Sequence, residues 1–306
     1  MAARSVTGRA VRALRWAVGG VALLAAAALV WTQRDAVGAM FARLDPGPAW
    51  GGLVLIFLLQ AGVAGCRTAV LLRPGSGAGV MRAVRCHALA QPATELASFL
   101  AGDIGFKTWC LARHLRRPVR AVVGPVTLDR ALDGGLACAL VPAALALLTG
   151  TAGGTAALAL ALVGLAAAAL GLAGVARWRR RPAWLAVPPG DGRLAAAFGL
   201  TVVRYLLAAA AMVVVHTLLT GEGLWLTVGL GLALAQLAKL ATLVPGGLGL
   251  VEGGWYAVLA AAGEPGGTAI AFALAARAHL VAGSLAAGAA GLLMGAVRPW
   301  REVGAA

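Results

Sequence analysis

The sequence predicts an all-α, polytopic membrane helical bundle of about eight spans, on three observations. Of its 306 residues, 61% are hydrophobic with glycine left out, and only 12% are charged. A soluble domain has about 45–50% apolar residues with glycine counted and about 25% charged residues. The mean hydropathy is +0.87, and apolar segments near the length of a spanning helix recur along the chain. An ordinary cytosolic enzyme is therefore excluded, and residues 1–306 are expected to form one integral membrane domain.

Seven segments are apolar enough to predict spans. They are residues 16–31, 49–72, 124–149, 154–176, 194–220, 223–244 and 268–297. The first is short and follows several arginines, as in a signal peptide, but no small-residue cleavage site lies close behind it, so an uncleaved span is expected. Two more segments are unusual: 248–263 is apolar but short, and 86–117 is interrupted by Glu95, Asp103 and Lys107.

The net charge of +15 has two possible interpretations. The basic residues could bind nucleic acid, or they could lie in cytoplasmic loops and fix the orientation of the spans in the membrane. With the N-terminus inside, nineteen basic residues fall on the cytoplasmic side and only Arg34 and Arg43 fall outside. This distribution follows the positive-inside rule. We therefore expect a multi-pass protein of the cytoplasmic (inner) membrane with both termini in the cytoplasm, and no nucleic-acid partner.

Residues 96–106 resemble residues 240–250, and each stretch has glycines between two apolar half-helices. Interrupted segments at matching positions of two halves are typical of inverted-repeat transporters. Residues 49–176 and 194–297 are thus candidate inverted repeats with two re-entrant-type hairpins. The alternative is chance similarity in a sequence rich in Ala, Leu and Gly. The predicted helix-break residues are Gly102, Gly105, Pro245, Gly246, Gly247 and Gly249.

The sequence has no phosphate-binding loop, no HExxH and no GxSxG motif. His216 and His279 lie in apolar helices and are expected to be satisfied core histidines. The four cysteines have no CxxC or Cys–His ligand spacing and are expected to be small buried hydrophobes. We predict no catalytic residue, metal or cofactor. Enzymatic activity stays open, because membrane enzymes often use scattered polar groups.

Charged residues within the predicted spans are the strongest functional signal, because each costs at least about 2.5–3.5 kcal/mol to insert. Asp129 and Asp133 share a helix face, and Arg130 reaches Asp133 at i,i+3. Arg204 lies too deep in its helix to snorkel. Arg67 lies near the cytoplasmic face and is expected to snorkel, so it is discounted.

The remaining intramembrane charges favour an anionic ligand. Lys239 and Arg277 add to the excess of cations, while Glu252 lies in the first turn after the second glycine break. Basic side chains beside half-helix N-termini suit a phosphate, and a lipid phosphate is the anion that belongs in a bilayer. The alternative is that these charges are structural ion pairs.

Residues 242–253, Thr-Leu-Val-Pro-Gly-Gly-Leu-Gly-Leu-Val-Glu-Gly, resemble the signature of the lysylphosphatidylglycerol synthase transmembrane family of flippase-like proteins. Gly102-Asp103 with Lys107, and residues 128–133, also resemble this family, so the likeness extends over about residues 50–297. Two features depart from it. Lys107 follows Asp103 by four positions where three is usual, and Ala276 replaces an aromatic residue before Arg277.

The resemblance implies a protein that moves a phospholipid or other polar lipid between leaflets, without the aminoacyl-transferase domain of bifunctional members. Arg130, Arg204, Lys239, Arg277 and Lys107 would bind the headgroup; Asp103, Asp129, Asp133 and Glu252 would be cleft acids or couple protons. The expected partner is a membrane lipid with an anionic or phosphate-bearing headgroup, and a homo-oligomer stays open. The alternatives are a membrane-embedded transferase on a lipid-linked substrate, with an aspartate or Glu252 as base, and an accessory protein of lipid synthesis.

Overall fold

The computed structural model describes residues 31–32, 34–43, 47–73, 77–96, 99–177, 192–241 and 249–297. These residues form ten α-helices, one π-helical segment and no strand, so the all-α prediction is confirmed. The elements are α1 (Arg34–Arg43), α2 (Pro48–Leu72), α3 (Gly77–Leu96), the π-helical segment (Phe99–Phe106), α4 (Lys107–His114), α5 (Val119–Leu148), α6 (Gly154–Arg177), α7 (Arg193–Thr220), α8 (Trp225–Ala241), α9 (Leu250–Ala261) and α10 (Gly266–Val297).

Five helices are long and apolar enough to cross a membrane: α2, α5, α6, α7 and α10. They match five predicted spans, and the described chain therefore has the helix lengths and composition of a multi-pass membrane protein. Helix α6 faces outward most fully, with Leu162, Val163 and Leu170 all more than half exposed. An apolar exposed face of this kind suits contact with acyl chains.

The described residues contain five helices that are long and apolar enough to span a membrane, so they do not confirm the predicted count of eight. Helix α8 has 17 residues where 223–244 was expected to span, and α9 has 12. At 1.5 Å per residue, the described part of α8 is about 26 Å long, less than the hydrocarbon thickness of about 30 Å, and residues 242–244 of the predicted span lie outside the described residues. The predicted span 16–31 lies outside the described residues, apart from Trp31.

The largest apolar core among the described residues contains residues of α1, α2, α5, α6 and the four helices α7 to α10. Its centre is Trp255, 2% exposed, whose ring meets the edge of Phe272 at 5.0 Å between centroids. Helix α2 packs on α7, α3 on α10, and α5 on α8. The helices of the two predicted halves are therefore interleaved around a shared centre.

The first glycine-containing segment is a tight helical hairpin. Helix α3 ends at Leu96 and the π-helical segment packs back against it. A Cβ atom on Gly102 would lie 2.2 Å from the backbone nitrogen of Thr94, so glycine is needed here for close approach of the two backbones. The structure thus differs from the expected helix break: Gly102 and Gly105 lie beyond the reversal, within the π-helical segment.

Candidate functional site

The site is built on α5, which carries Asp129 and Asp133 one helical turn apart towards the bundle interior. Arg67 of α2 binds both of them. Its Nε donates to Asp129 Oδ1 at 2.6 Å, and its Nη1 donates to Asp133 Oδ1 at 2.5 Å. Nη1 also donates to the Thr201 hydroxyl of α7 at 2.9 Å. The Arg67 side chain is 0% exposed.

The expectation that Arg67 snorkels to the cytoplasmic face is therefore wrong. Two carboxylates opposite its helix offer the guanidinium two charge-assisted hydrogen-bond acceptors inside the bundle. Burying a cation is costly in the absence of such partners. Arg67 consequently ties α2, α5 and α7 together.

Lys107 completes the buried inner part of this cluster. Its Nζ lies 2.7 Å from Asp129 Oδ2 and 3.9 Å from Asp103 Oδ1. The side chains of Lys107 and Asp129, like that of Arg67, are 0% exposed. None of these three groups is among the residues that line the cavity described below.

The outer part of the cluster faces that cavity. Arg130 binds Asp133 at 2.8 Å, as its i,i+3 spacing predicts, and Asp103 at 2.6 Å. Arg204 of α7 reaches Asp133 Oδ1 at 2.8 Å, and its side chain is 26% exposed. Arg204 is therefore the most accessible cation of this cluster.

A second ionic cluster lies across the cavity, centred on Glu95 of α3. Lys239 of α8 donates a hydrogen bond to Glu95 Oε1, and Arg277 Nη1 of α10 lies 3.7 Å from Glu95 Oε2. The Glu95 side chain is only 3% exposed. Sequence reasoning did not select Glu95 as a site residue, although an acid within an apolar segment was the signal that could have found it.

Glu252 closes this second cluster and caps α9. Its Oε2 accepts a hydrogen bond from the backbone N–H of Gly249 at 2.7 Å, and its Oε1 lies 3.6 Å from Arg277 Nε. Gly249 has φ +81°, which favours glycine. The capping N–H that was expected to help bind an anionic ligand is thus occupied by the protein's own carboxylate. The other predicted break residues of this segment, Pro245, Gly246 and Gly247, lie outside the described residues.

One open cavity lies between the two ionic clusters. Charged, uncharged polar and apolar side chains all line it. The charged groups are Glu95, Asp103, Arg130, Asp133, Arg204 and Lys239; the apolar side chains include Phe57, Ala61, Ala208, Met212, Leu232, Val251, Trp255 and Leu280. A cavity with this lining can hold a molecule that has a polar and an apolar end.

Two histidines also line the cavity, His87 and His279. His279 is 1% exposed, and neither ring nitrogen has a hydrogen-bond partner among the described residues. The expectation that it is a satisfied core histidine is therefore wrong. Its ring makes an edge contact with Phe57 at 5.8 Å. Outside the cavity, His216 lies 2.9 Å from the carbonyl oxygen of Glu222 through Nδ1, while its Nε2 has no hydrogen-bond partner among the described residues.

The charges of the two clusters nearly cancel. The first has four cations, Arg67, Lys107, Arg130 and Arg204, and three acids, Asp103, Asp129 and Asp133. The second has Lys239 and Arg277 with Glu95 and Glu252. The described network thus carries one net positive charge, a smaller excess than the cations alone had indicated.

In comparisons with known proteins, no family model and no curated protein matches the chain. The resemblance to the lysylphosphatidylglycerol synthase transmembrane family therefore stays a prediction.

Proposed function

We propose that this protein binds the phosphate-bearing headgroup of a membrane lipid in the central cavity and moves the lipid between leaflets. The observation that carries the proposal is that six charged side chains and at least eight apolar side chains line the same cavity. A free polar metabolite would not need the apolar side chains, and a purely apolar ligand would place hydrocarbon against the charged groups.

Arg204 and Lys239 are the headgroup-binding cations in this proposal. Their side chains are 26% and 24% exposed, whereas Arg67 and Lys107 are fully buried among acids. The net charge of +1 on the network matches one phosphodiester, which carries one negative charge. A phosphodiester would then add hydrogen bonds to cations that already have carboxylate partners, without leaving an uncompensated buried charge.

The packing supports the inverted-repeat hypothesis that goes with this function. Matching residues 96–106 to 240–250 makes Glu95 equivalent to Lys239, and these two residues bind each other. Equivalent residues that touch must lie near the axis that relates two repeats. The helix contacts are consistent with the same repeat, in which α8 corresponds to α3 and α10 to α5. Helix α3 packs on α10, and α8 packs on α5.

The two ionic clusters join helices of both candidate repeats. Arg67 of α2 contacts acids of α5 and Thr201 of α7, and Glu95 of α3 contacts Lys239 of α8 and Arg277 of α10. In this proposal one repeat rocks against the other during alternating access, and these contacts rearrange.

The test is transbilayer movement of a fluorescent phosphatidylglycerol analogue in proteoliposomes, read by quenching with a membrane-impermeant reductant. Arg204→Gln and Lys239→Gln are each expected to slow movement at least about tenfold, the effect of about 1.4 kcal/mol. Arg120→Gln is the matched control, because Arg120 is exposed at the start of α5 and its replacement makes the same change in charge. Equal rates in wild type and in an Arg204→Ala/Arg277→Ala double mutant would refute the assignment.

One observation favours a second candidate, the membrane-embedded transferase. Its general base was expected among Asp129, Asp133 and Glu252, but each of these is paired with a cation. His279 offers unbonded ring nitrogens inside the cavity instead, and a histidine is the commonest general base. Under this alternative, a deletion strain accumulates an unmodified lipid and His279→Gln fails to restore the product; under the transport proposal, the same lipid is present but in the wrong leaflet.

A further inference from the structure

Cys86, Cys110 and His114 converge at a place separate from the central cavity. Cys86 belongs to α3, while Cys110 and His114 lie four residues apart on α4 and so share one helix face. The two sulfurs and a ring nitrogen all lie within 4.8 Å of one another. The two Sγ atoms are 2.7 Å apart.

The two cysteines of this cluster are more deeply buried than the other two cysteines of the chain. Cys86 and Cys110 are 0% and 2% exposed, and His114 is half-buried at the end of its helix. Cys66 is less buried and Cys138 is exposed. Sequence reasoning treated all four thiols as small buried hydrophobes, but the structure brings two of them together with a histidine ring. The cluster therefore has the donor set and the approach of a ligand site.

We propose that Cys86, Cys110 and His114 bind a thiophilic closed-shell cation, Zn²⁺ or Cu⁺. Two thiolates and an imidazole are the soft and borderline ligands that these ions select over Mg²⁺ or Ca²⁺. Each thiol gives its proton to the buffer as its sulfur–metal bond forms. Zn²⁺ completes four-coordination with water, and Cu⁺ needs no further ligand.

The charges around the cluster suit this chemistry. Arg82 donates a hydrogen bond from Nη1 to the carbonyl oxygen of His114 at 3.2 Å, and Arg85 lies close enough to act on both thiols. Neighbouring cations favour thiolates. Two thiolates neutralise Zn²⁺, and with Cu⁺ they leave one negative charge, which the neighbouring arginines can balance.

The bound ion would join the two arms of the α3–α4 hairpin. Cys110 is three residues after Lys107, and Cys86 is nine residues before Glu95. The site would therefore fix the hairpin that carries groups of both ionic clusters. This inference does not depend on the proposed lipid function, since it requires only that the hairpin folds as described.

A Cys86–Cys110 disulfide is the competing outcome. The positive-inside rule places this end of the hairpin at the cytoplasmic face, where thiols are kept reduced. His114 on the same face adds a third ligand that a disulfide does not need. Both points favour the metal ion.

The experiment uses the full-length protein purified in detergent under reducing conditions. Co²⁺ serves as the spectroscopic probe for the zinc arm and is read by its sulfur-to-metal charge-transfer absorption; Zn²⁺ displaces it. The copper arm uses competition for Cu⁺ with a chromogenic chelator. We expect one ion per chain, binding lost in Cys86→Ser/Cys110→Ser and weakened at least tenfold in His114→Ala, and unchanged binding in the control Cys138→Ser.

Three results would overturn the proposal: no stoichiometric binding of either ion, binding that persists in Cys86→Ser/Cys110→Ser, or, in a sample purified without reductant, two of the four thiols blocked and released when a reductant is added. If the double variant fails to fold, protection of wild-type thiols from alkylation decides. Protection must appear with Zn²⁺ or Cu⁺ and disappear with a chelator. His114→Ala must lessen it, and thiols alkylated equally with and without the ions would also refute the site.

Discussion

Replacing Arg67 with methionine is expected to destabilise the bundle by about 3 kcal/mol. Methionine replaces most of the aliphatic volume of arginine but none of its charge. The substitution removes hydrogen bonds from Arg67 to Asp129 at 2.6 Å and to Asp133 at 2.5 and 3.0 Å. Removing one member of a buried ion pair costs about 3–5 kcal/mol. We place this case at the low end because other cations remain on both acids.

Both aspartates keep other cations when Arg67 is replaced. Asp129 keeps Lys107 at 2.7 Å, and Asp133 keeps Arg130 and Arg204 at 2.8 Å each. The pairwise contribution follows from the double variant Arg67→Met/Asp129→Asn, which also removes the carboxylate left without its arginine. We expect a coupling free energy of at least about 1.5 kcal/mol between these two positions, within the range for buried contacting groups.

The assay is reversible unfolding in mixed micelles, followed by far-ultraviolet circular dichroism across a series of denaturing-detergent fractions. Arg34 and Asp35 form the control pair, since they lie 3.7 Å apart with side chains 57% and 93% exposed. A pair so exposed is expected to give a coupling of no more than about 0.5 kcal/mol. The reasoning is refuted if Arg67→Met unfolds within about 0.5 kcal/mol of wild type, or if the two cycles give equal couplings.

Three further predictions follow from packing and exposure. Gly102→Ala is expected to lower the free energy of unfolding by about 1–3 kcal/mol in the same assay, because the new Cβ would meet Thr94. Gly135→Ala, with open space around it, should leave that free energy unchanged or raise it. Equal effects of the two substitutions would contradict the close-approach argument. Leu162→Arg, at an exposed position near the middle of α6, should raise the insertion free energy by at least about 2.5 kcal/mol in a translocon-insertion assay, whereas Leu162→Phe should not. A reporter that fluoresces only in the cytoplasm should be active on either terminus, and a dark C-terminal fusion would reverse the assigned orientation.

Much of the local organisation could be predicted from the sequence. Five long helices follow from apolar length alone, because the hydrocarbon thickness sets how many residues a span needs. The contact between Arg130 and Asp133 follows from the helical repeat. The glycines of residues 96–106 indicated unusual backbone, and at Gly102 the cause is close packing of two helical arms.

The partners of the buried charges could not be predicted in this way. Arg67 had been discounted from its depth along its own helix, yet its acids lie 62 and 66 residues away on another helix. Glu95 and Lys239 are 144 residues apart. Periodicity fixes which side chains share a face within a turn or two, and it leaves open which face of another helix they meet.

The sequence by itself therefore determined that this chain is a bundle of membrane-type helices with charges inside it, because composition and helix periodicity are properties of single segments. Only the tertiary structure decided which of those charges are fully buried and which lie at the cavity wall. Packing buries Arg67, Lys107 and Asp129 completely, leaves Arg204 and Lys239 at the cavity wall, and joins Cys86 to Cys110 and His114. Each of these placements depends on which helices pack together, since the free energy of a buried charge is set by the groups that surround it.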